Sequence, residues 1–407
     1  MKNIAYLLVS FLLLTACNSE KKKEITLKKG DWKGEIFMQN DTLPFIFEIE
    51  KNANSFTGKL KNGEETIPLN DIEVKNDSVF ISMHIFDITL KAKINENSLD
   101  GEYVKNYIPN YKLPFKATFG ESKRFENPKS SNAFDGKWDI IFKDDKGNEN
   151  VAIGIFKQDG NLVKGTFLTP TGDYRYLEGT VENNVLELLT FDGNHAFIFK
   201  MKLNENGELE GTFKSGLNWI ETFTGKKNPN AKLPDANALT YLKDGYETVS
   251  FSFPDLNGKK VSLEDSKYKG KVVILQIFGT WCPNCMDETQ FLSKWYRENI
   301  DRGVEIIGLA YEAKDDFNYA KSRVEKMKNT FDVPYEFLIA GTSNKEEASK
   351  TLPMLNKIIS FPTTIFIDKN GKVAKIHTGF SGPATGEYYA KFVEEFNKTI
   401  DNLTSKK

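Results

Sequence analysis

The chain has few of the side chains that cross-link folds or hold metals, with 3 cysteines and 3 histidines among 407 residues. Three cysteines cannot build a disulfide framework, and a bridge between the close pair Cys282 and Cys285 spans too short a loop to stabilise a fold appreciably. His84, His195 and His377 lie far apart in sequence, so a metal-binding or metal-delivery reading, in which the two close thiols recruit a histidine, lacks an evident third ligand. No metal site is expected. Charge of one sign is lacking too. The 55 basic and 57 acidic residues leave a formal net charge of -2, spread along the chain, so nucleic acid is not expected as a partner. Beyond the first residues, no apolar run approaches the ~18 residues that a membrane-spanning helix needs. The length favours several domains, each large enough to bury a core.

What is present begins at the N-terminus. Met1-Lys2-Asn3, an apolar stretch from Ile4 to Leu14, and Thr15-Ala16 match the three regions of a secretory signal, so residues 1–16 are expected to be a signal peptide. Leu14-Thr15-Ala16-Cys17 resembles the lipobox of bacterial lipoproteins, and that resemblance implies lipidation of Cys17 as the mature first residue. The alternative is a plain secretory signal with a cysteine nearby. Several acyl chains, at about 0.8 kcal/mol per buried methylene, would hold the chain stably on a bilayer where one would not. Residues 17–29 are polar and lysine-rich, as a solvated tether would be.

From residue 30 to residue 227 the text is strand-like, with short runs of Phe, Ile, Val and Thr broken by Asn, Asp and Gly. Laying Gly30-Asp31-Trp32-Lys33-Gly34-Glu35-Ile36 over Asp135-Gly136-Lys137-Trp138-Asp139-Ile140-Ile141 shows a tandem repeat of about 106 residues. Phe56–Leu60 with Val163–Phe167, Asn95–Gly101 with Asn204–Gly211, and Phe115–Gly120 with Ile220–Gly225 keep the register. Repeat 1 is placed at 30–125 and repeat 2 at 132–227. Each holds seven or eight short strands, which suits an antiparallel barrel or sandwich; the glycine-rich hairpins resemble calycin-like barrels. A filled core serving as spacer or docking surface is expected rather than a ligand-holding mouth.

Residues 228–247 lose this patterning and contain Pro229 and Pro234, so they read as a linker. Over 248–407 strands and helices alternate. A hairpin (Val249 to Phe253, Lys260 to Leu263) leads to Val272–Phe278, apolar enough for a strand buried on both faces. Helices are expected at 283–299, 316–329, 345–355 and 388–400, and further strands at 304–309, 335–340, 363–367 and 373–378.

Trp281-Cys282-Pro283-Asn284-Cys285 falls at the turn from the buried strand into a helix, where unpaired N–H groups and the positive end of the helix dipole favour a thiolate at Cys282. Pro283 suits the first helical turn and sets Cys285 one turn on, within bridging reach. With the downstream Ser360-Phe361-Pro362-Thr363 and the Asp368-Lys369-Asn370-Gly371-Lys372 hairpin, this resembles the thioredoxin superfamily in its TlpA/ResA-like branch of membrane-tethered disulfide reductases. The resemblance covers about 249–400 and implies an α/β thioredoxin-like domain there; with the two antiparallel β barrel or sandwich repeats read from the patterning before it, the chain is expected to be multidomain. It implies a cis peptide before Pro362, which would face the disulfide, and a substrate site formed by Trp281, Phe361, Pro362 and Thr363. Where thioredoxin carries an acid six places before the first cysteine, this chain has Gln276. Glu288 matches the glutamate of the ResA-like branch, and a buried carboxyl there would have a raised pKa and could relay a proton to Cys285. Otherwise Glu288 is a solvated helix acid.

The activity so implied is thiol-disulfide exchange without a cofactor beyond the Cys282–Cys285 disulfide. Protein disulfides would be the substrates, a membrane or periplasmic thiol would restore the reduced form, and the domain would sit outside the cytoplasm on a lipid anchor. Pro283-Asn284 between the cysteines departs from the Gly-Pro pair of thioredoxins, which leaves the redox potential, and so the direction, open. The nearest enzymatic alternative is a peroxiredoxin-like peroxidase, since Gly379-Phe380-Ser381-Gly382-Pro383 has a redoxin flavour, but such enzymes use a lone peroxidatic cysteine.

Overall fold

The computed structural model describes residues 26–53, 55–125 and 134–405. The expected signal peptide, the expected lipidation site Cys17 and the first residues assigned to repeat 2 lie outside them.

Alternation of apolar and polar residues builds the first unit. Along β1 (Gly30–Met38), Trp32, Gly34, Ile36 and Met38 point inward while their neighbours stay partly solvated, the period of two that a strand with one buried face requires. β2 (Asp41–Asn52), β3 (Ser55–Asn62), β4 (Glu65–Lys75), β5 (Ser78–Ser82), β6 (Ile88–Ile94), β7 (Ser98–Lys105) and β8 (Lys112–Phe119) follow as an antiparallel meander, and β8 pairs back onto β1 to close a barrel. Closure leaves no edge strand to aggregate.

The second unit has the same plan. β9 (Gly136–Lys143), β10 (Glu149–Asp159), β11 (Leu162–Thr169), β13 (Leu177–Glu182), β14 (Val185–Phe191), β15 (Ala196–Leu203), β16 (Leu209–Ser215) and β17 (Trp219–Lys227) close through the β10–β11 and β9–β17 pairings. A two-residue strand, β12 (Gly172–Asp173), folds back on the end of β11 and forms a flap. Among the described residues of both units there is no helix. The interiors are filled. In the first barrel the Trp32 indole donates to Lys28 O at 3.1 Å, and in the second Trp138 donates to Phe134 O at 2.9 Å, the same contact with the carbonyl four residues earlier. Phe199 stacks on Phe213 at 4.4 Å and meets Phe167 at 4.7 Å, so aromatic rings occupy the middle of the second barrel.

The C-terminal domain is α/β. A short hairpin of β18 (Phe253–Pro254) and β19 (Lys260–Val261) precedes β20 (Val272–Phe278), α1 (Pro283–Glu298), β21 (Val304–Glu312), α2 (Phe317–Thr330), β22 (Glu336–Thr342), α3 (Lys345–Thr351), β23 (Thr363–Ile367), β24 (Val373–Thr378) and α4 (Glu387–Ser405). The sheet order is β22-β21-β20-β23-β24, with β20 and β21 parallel and β23 antiparallel to β20. All seven residues of β20 are buried, as expected for a central strand covered on both faces. The hairpin is shorter than its hydrophobic text predicts. α3 stops at Thr351 rather than Leu355 because Leu352 precedes Pro353 and is pushed out of the helical region.

Residues 228–247 contain no helix or strand, yet they lie along the C-terminal domain. Thr378 donates its backbone N–H to Ala236 O (3.0 Å), His377 Nδ1 meets Asn237 Oδ1 (3.1 Å), and Val373 N donates to Glu247 O (2.8 Å). One continuous hydrophobic core joins the first barrel, four residues of the second barrel and the α/β domain.

Candidate active site

The disulfide sits where β20 hands over to α1. Cys282 is the N-cap of α1 and is joined to Cys285, with Cα atoms 5.2 Å apart. The backbone N–H of Cys285 points at Cys282 Sγ from 3.2 Å. A reduced Cys282 would carry its negative charge against a helix N-terminus, an arrangement that favours a thiolate there. Cys285 is fully buried, as a resolving thiol can be. Phe361–Pro362 is a cis peptide, and Phe361 O lies 3.5 Å from Cys282 Sγ. The Trp281 and Phe361 rings meet edge to face at 5.5 Å. Thr363 turns its hydroxyl to Ser360 O (2.9 Å).

Two buried carboxyls flank this centre. Glu288 lies one helical turn after Cys285 on the same face of α1. Its oxygens accept hydrogen bonds from Thr364 Oγ1 (2.6 Å) and Gln276 Nε2 (2.9 Å), and Tyr335 donates to Gln276 Oε1 (3.1 Å). Burial pushes Glu288 up to about 7, against the pull of those two hydrogen bonds. Gln276, which stands where thioredoxins carry an acid, thus orients the acid this chain does have. Glu312, at the end of β21, accepts from Thr280 N (2.9 Å) and Thr280 Oγ1 (2.8 Å), and burial raises it to about 7 as well. It anchors the turn that carries Trp281, whose indole donates to Tyr311 O at 2.9 Å. An acid closing an otherwise apolar strand was the only sequence signal for Glu312.

The three histidines are engaged elsewhere. His84 Nδ1 meets Pro68 O at 3.1 Å, His195 Nδ1 meets Asp192 at 3.0 Å, and His377 bonds Asn237.

The second barrel reaches into this centre, which nothing in the sequence announced. Ser360 Oγ donates to Thr171 O (2.8 Å), Asn284 Nδ2 to Asp173 O (3.0 Å), Gly382 N to Asp173 Oδ2 (2.6 Å), and Asn194 Nδ2 to Trp281 O (2.6 Å). Beside them the fully buried Arg175 chelates Asp287 of α1 through Nε (2.9 Å) and Nη2 (2.8 Å), contacts Asp192 at 2.9 Å, and reaches Glu65 of the first barrel. Burial, reinforced by the neighbouring carboxylates Asp287 and Asp192, raises Glu65 to about 7 despite the guanidinium.

A thioredoxin-type sheet with a Cys-x-x-Cys pair capping its first helix defines a thiol-disulfide oxidoreductase, and comparison with known proteins agrees. Residues 225–390 match the Redoxin family. The thiol-disulfide oxidoreductase ResA of Bacillus thuringiensis subsp. konkukian is 32% identical over 159 residues, covering 39% of this chain and 79% of that protein. The ResA of Halalkalibacterium halodurans is 30% identical over 135 residues, 33% of this chain and 68% of that one. Among solved structures, a thiol:disulfide interchange protein of the thioredoxin family from Chlorobium tepidum TLS aligns at 25% identity and a TM-score of 0.28, covering 37% of this chain and 98% of that chain. The chain belongs to the ResA-like thiol-disulfide oxidoreductases of the thioredoxin superfamily.

Proposed function

We propose that this oxidoreductase reduces disulfides in exported proteins, held by a lipid on Cys17 at the cell envelope with its redox domain outside the cytoplasm. The placement of Cys282 at the N-cap of α1, beside Phe361–Pro362 and bridged to a buried Cys285, carries the reading. In the reduced form, the Cys282 thiolate attacks one sulfur of a target disulfide. A Cys282–target bond forms, the target's own S–S bond breaks, and the other target sulfur leaves as a thiolate that takes up a proton. Cys285 then loses its proton and attacks Cys282 Sγ, releasing the second target thiol and restoring the internal disulfide. Glu288 is the group assigned to hold the proton exchanged at Cys285, since its raised pKa lets it serve as acid or base near neutrality. A membrane or periplasmic dithiol returns the pair to the reduced state.

The test has two parts. Cys285→Ser should accumulate mixed disulfides between Cys282 and target proteins, whereas Cys282→Ser should form none; capture by both variants alike would refute the assignment of the attacking sulfur. A reduction potential near that of thioredoxin, about -270 mV, supports reduction, and one near about -120 mV would make the protein an oxidant instead.

A further inference from the structure

We propose that the second barrel supplies an internal occupant of the substrate groove, its loop Thr171–Arg175, and that Arg175 is the positioning residue that latches this loop over the disulfide. The proposal rests on the exchange chemistry above and adds what governs access to it. Three segments frame the disulfide: the Trp281–Cys285 turn, the stretch Ser360–Pro362, and the loop after β24. The occupant touches all three. Its carbonyls at Thr171 and Asp173 accept hydrogen bonds from Ser360 and Asn284, and its Asp173 carboxylate accepts from Gly382 N. A substrate strand beside Pro362 would satisfy groups in the same places through its own backbone.

The fit is close enough to exclude a second chain. A Cβ at Gly379 would lie 2.5 Å from the carbonyl carbon of Thr171, and a Cβ at Gly172 would lie 2.8 Å from Asn284 Nδ2. Gly379 also holds φ +80, and Gly172 φ +139, conformations that favour glycine on both sides of the contact. With the loop in place Cys282 retains 6% of its exposure, and Phe361 and Pro362 are buried. A folded protein carrying a disulfide cannot reach Cys282 and the Phe361 backbone together unless the loop leaves.

Arg175 is the one side chain in the loop that ties all three units, through Asp192 of its own barrel, Glu65 of the first barrel and Asp287 of α1. A second anchor lies away from the disulfide. On α2, Arg323 donates to Ile85 O of the first barrel and Lys326 pairs with Asp71 at 2.6 Å. The barrels are joined to each other through Phe45 and Phe191, whose rings are 4.4 Å apart, and through Lys200 and Lys214, which both bond Asp41, so the two anchors act on one joined cover.

The experiment uses the full chain in its reduced form and compares reagents of two sizes. Cys282 is alkylated with iodoacetamide or with a polymer-bearing maleimide, and the reduction of a small aromatic disulfide is compared with that of insulin. Arg175→Gln should raise the large-reagent and insulin rates by about tenfold or more, because the competent fraction multiplies the apparent rate, and should change the small-reagent rates by less than about threefold. The double variant Arg323→Ala, Lys326→Glu should shift the same size ratio in the same direction, and it decides the matter if Arg175→Gln fails to fold. A size ratio unchanged in the folded variants overturns the proposal. Failure of the unaltered chain to reduce even the small disulfide would instead refute the exchange reading itself.

Discussion

Replacing Glu288 by Gln isolates the buried acid. The substitution keeps the shape and most of the hydrogen bonding, since the amide oxygen can accept from Gln276 Nε2 and the amide nitrogen can donate to Thr364 Oγ1, the two partners the carboxyl has now. What it removes is the titration. Burial lifts Glu288 from 4.5 to about 7, so the folded state holds a proton that the unfolded chain has already released above about pH 4.5. A raised acid makes stability fall as pH rises, with the loss beginning near 4.5 and levelling off above 7. At ~1.4 kcal/mol per pKa unit, the ionised carboxylate costs the fold roughly 3 kcal/mol at pH 8 and under about 1 kcal/mol at pH 5. Urea unfolding of the oxidised protein at pH 5, 6, 7 and 8 should therefore show Glu288→Gln gaining on the unaltered chain by about 2 kcal/mol between the first and last points. Taking the difference between the two proteins cancels Glu65 and Glu312, which are raised by the same cause. In turnover, loss of a general acid-base group should slow resolution by about 100-fold and abolish the inflection near pH 7. A stability difference that stays flat from pH 5 to pH 8 would show that Glu288 does not titrate in this range and would remove it from the mechanism.

Other consequences can be measured independently. Glu312→Ala leaves the Thr280 N–H buried without its acceptor and should cost about 1–3 kcal/mol in denaturant unfolding, with a change in Trp281 fluorescence. A fragment beginning at Asp235 retains the bonds of Ala236 and Asn237 to the strand before Gly379, so it should fold and reduce insulin faster than the full chain; one beginning at Tyr241 lacks them and should unfold at lower urea. On the proposed lipid anchor, Cys17→Ala should release the protein from the membrane fraction without altering thiol chemistry in solution, which fractionation and an insulin assay together would check.

The redox domain was legible because its signals are local. The short, β-branched run from Val272 to Phe278 reads as a strand covered on both faces, and Pro283 marks the helix start whatever packs around it. The barrels were legible through period-two alternation, but their contact with the active site was not. Arg175 sits between two tyrosines in a flap of two-residue pairing, and its partners at positions 65, 192 and 287 are joined only by tertiary structure. Asn284 reads in sequence as a variation between two cysteines that alters redox potential. In the fold its amide is also spent on Asp173 O. Gln276 reads as a missing acid, whereas its donor orients Glu288, a relation set by the pairing of a strand with the helix that follows it.

The ligands of Arg175 also differ in when they come into being. Synthesis runs from the N-terminus and domains fold as units as they emerge, so Glu65 and Asp192 stand ready in a finished pair of barrels before α1, with Asp287, has been made. Until then the guanidinium keeps water on the edge that Asp287 will later occupy. By that order the redox domain would be completed against a waiting surface. The order of the domains along the chain thus sets which is complete first, the cover or the site it covers.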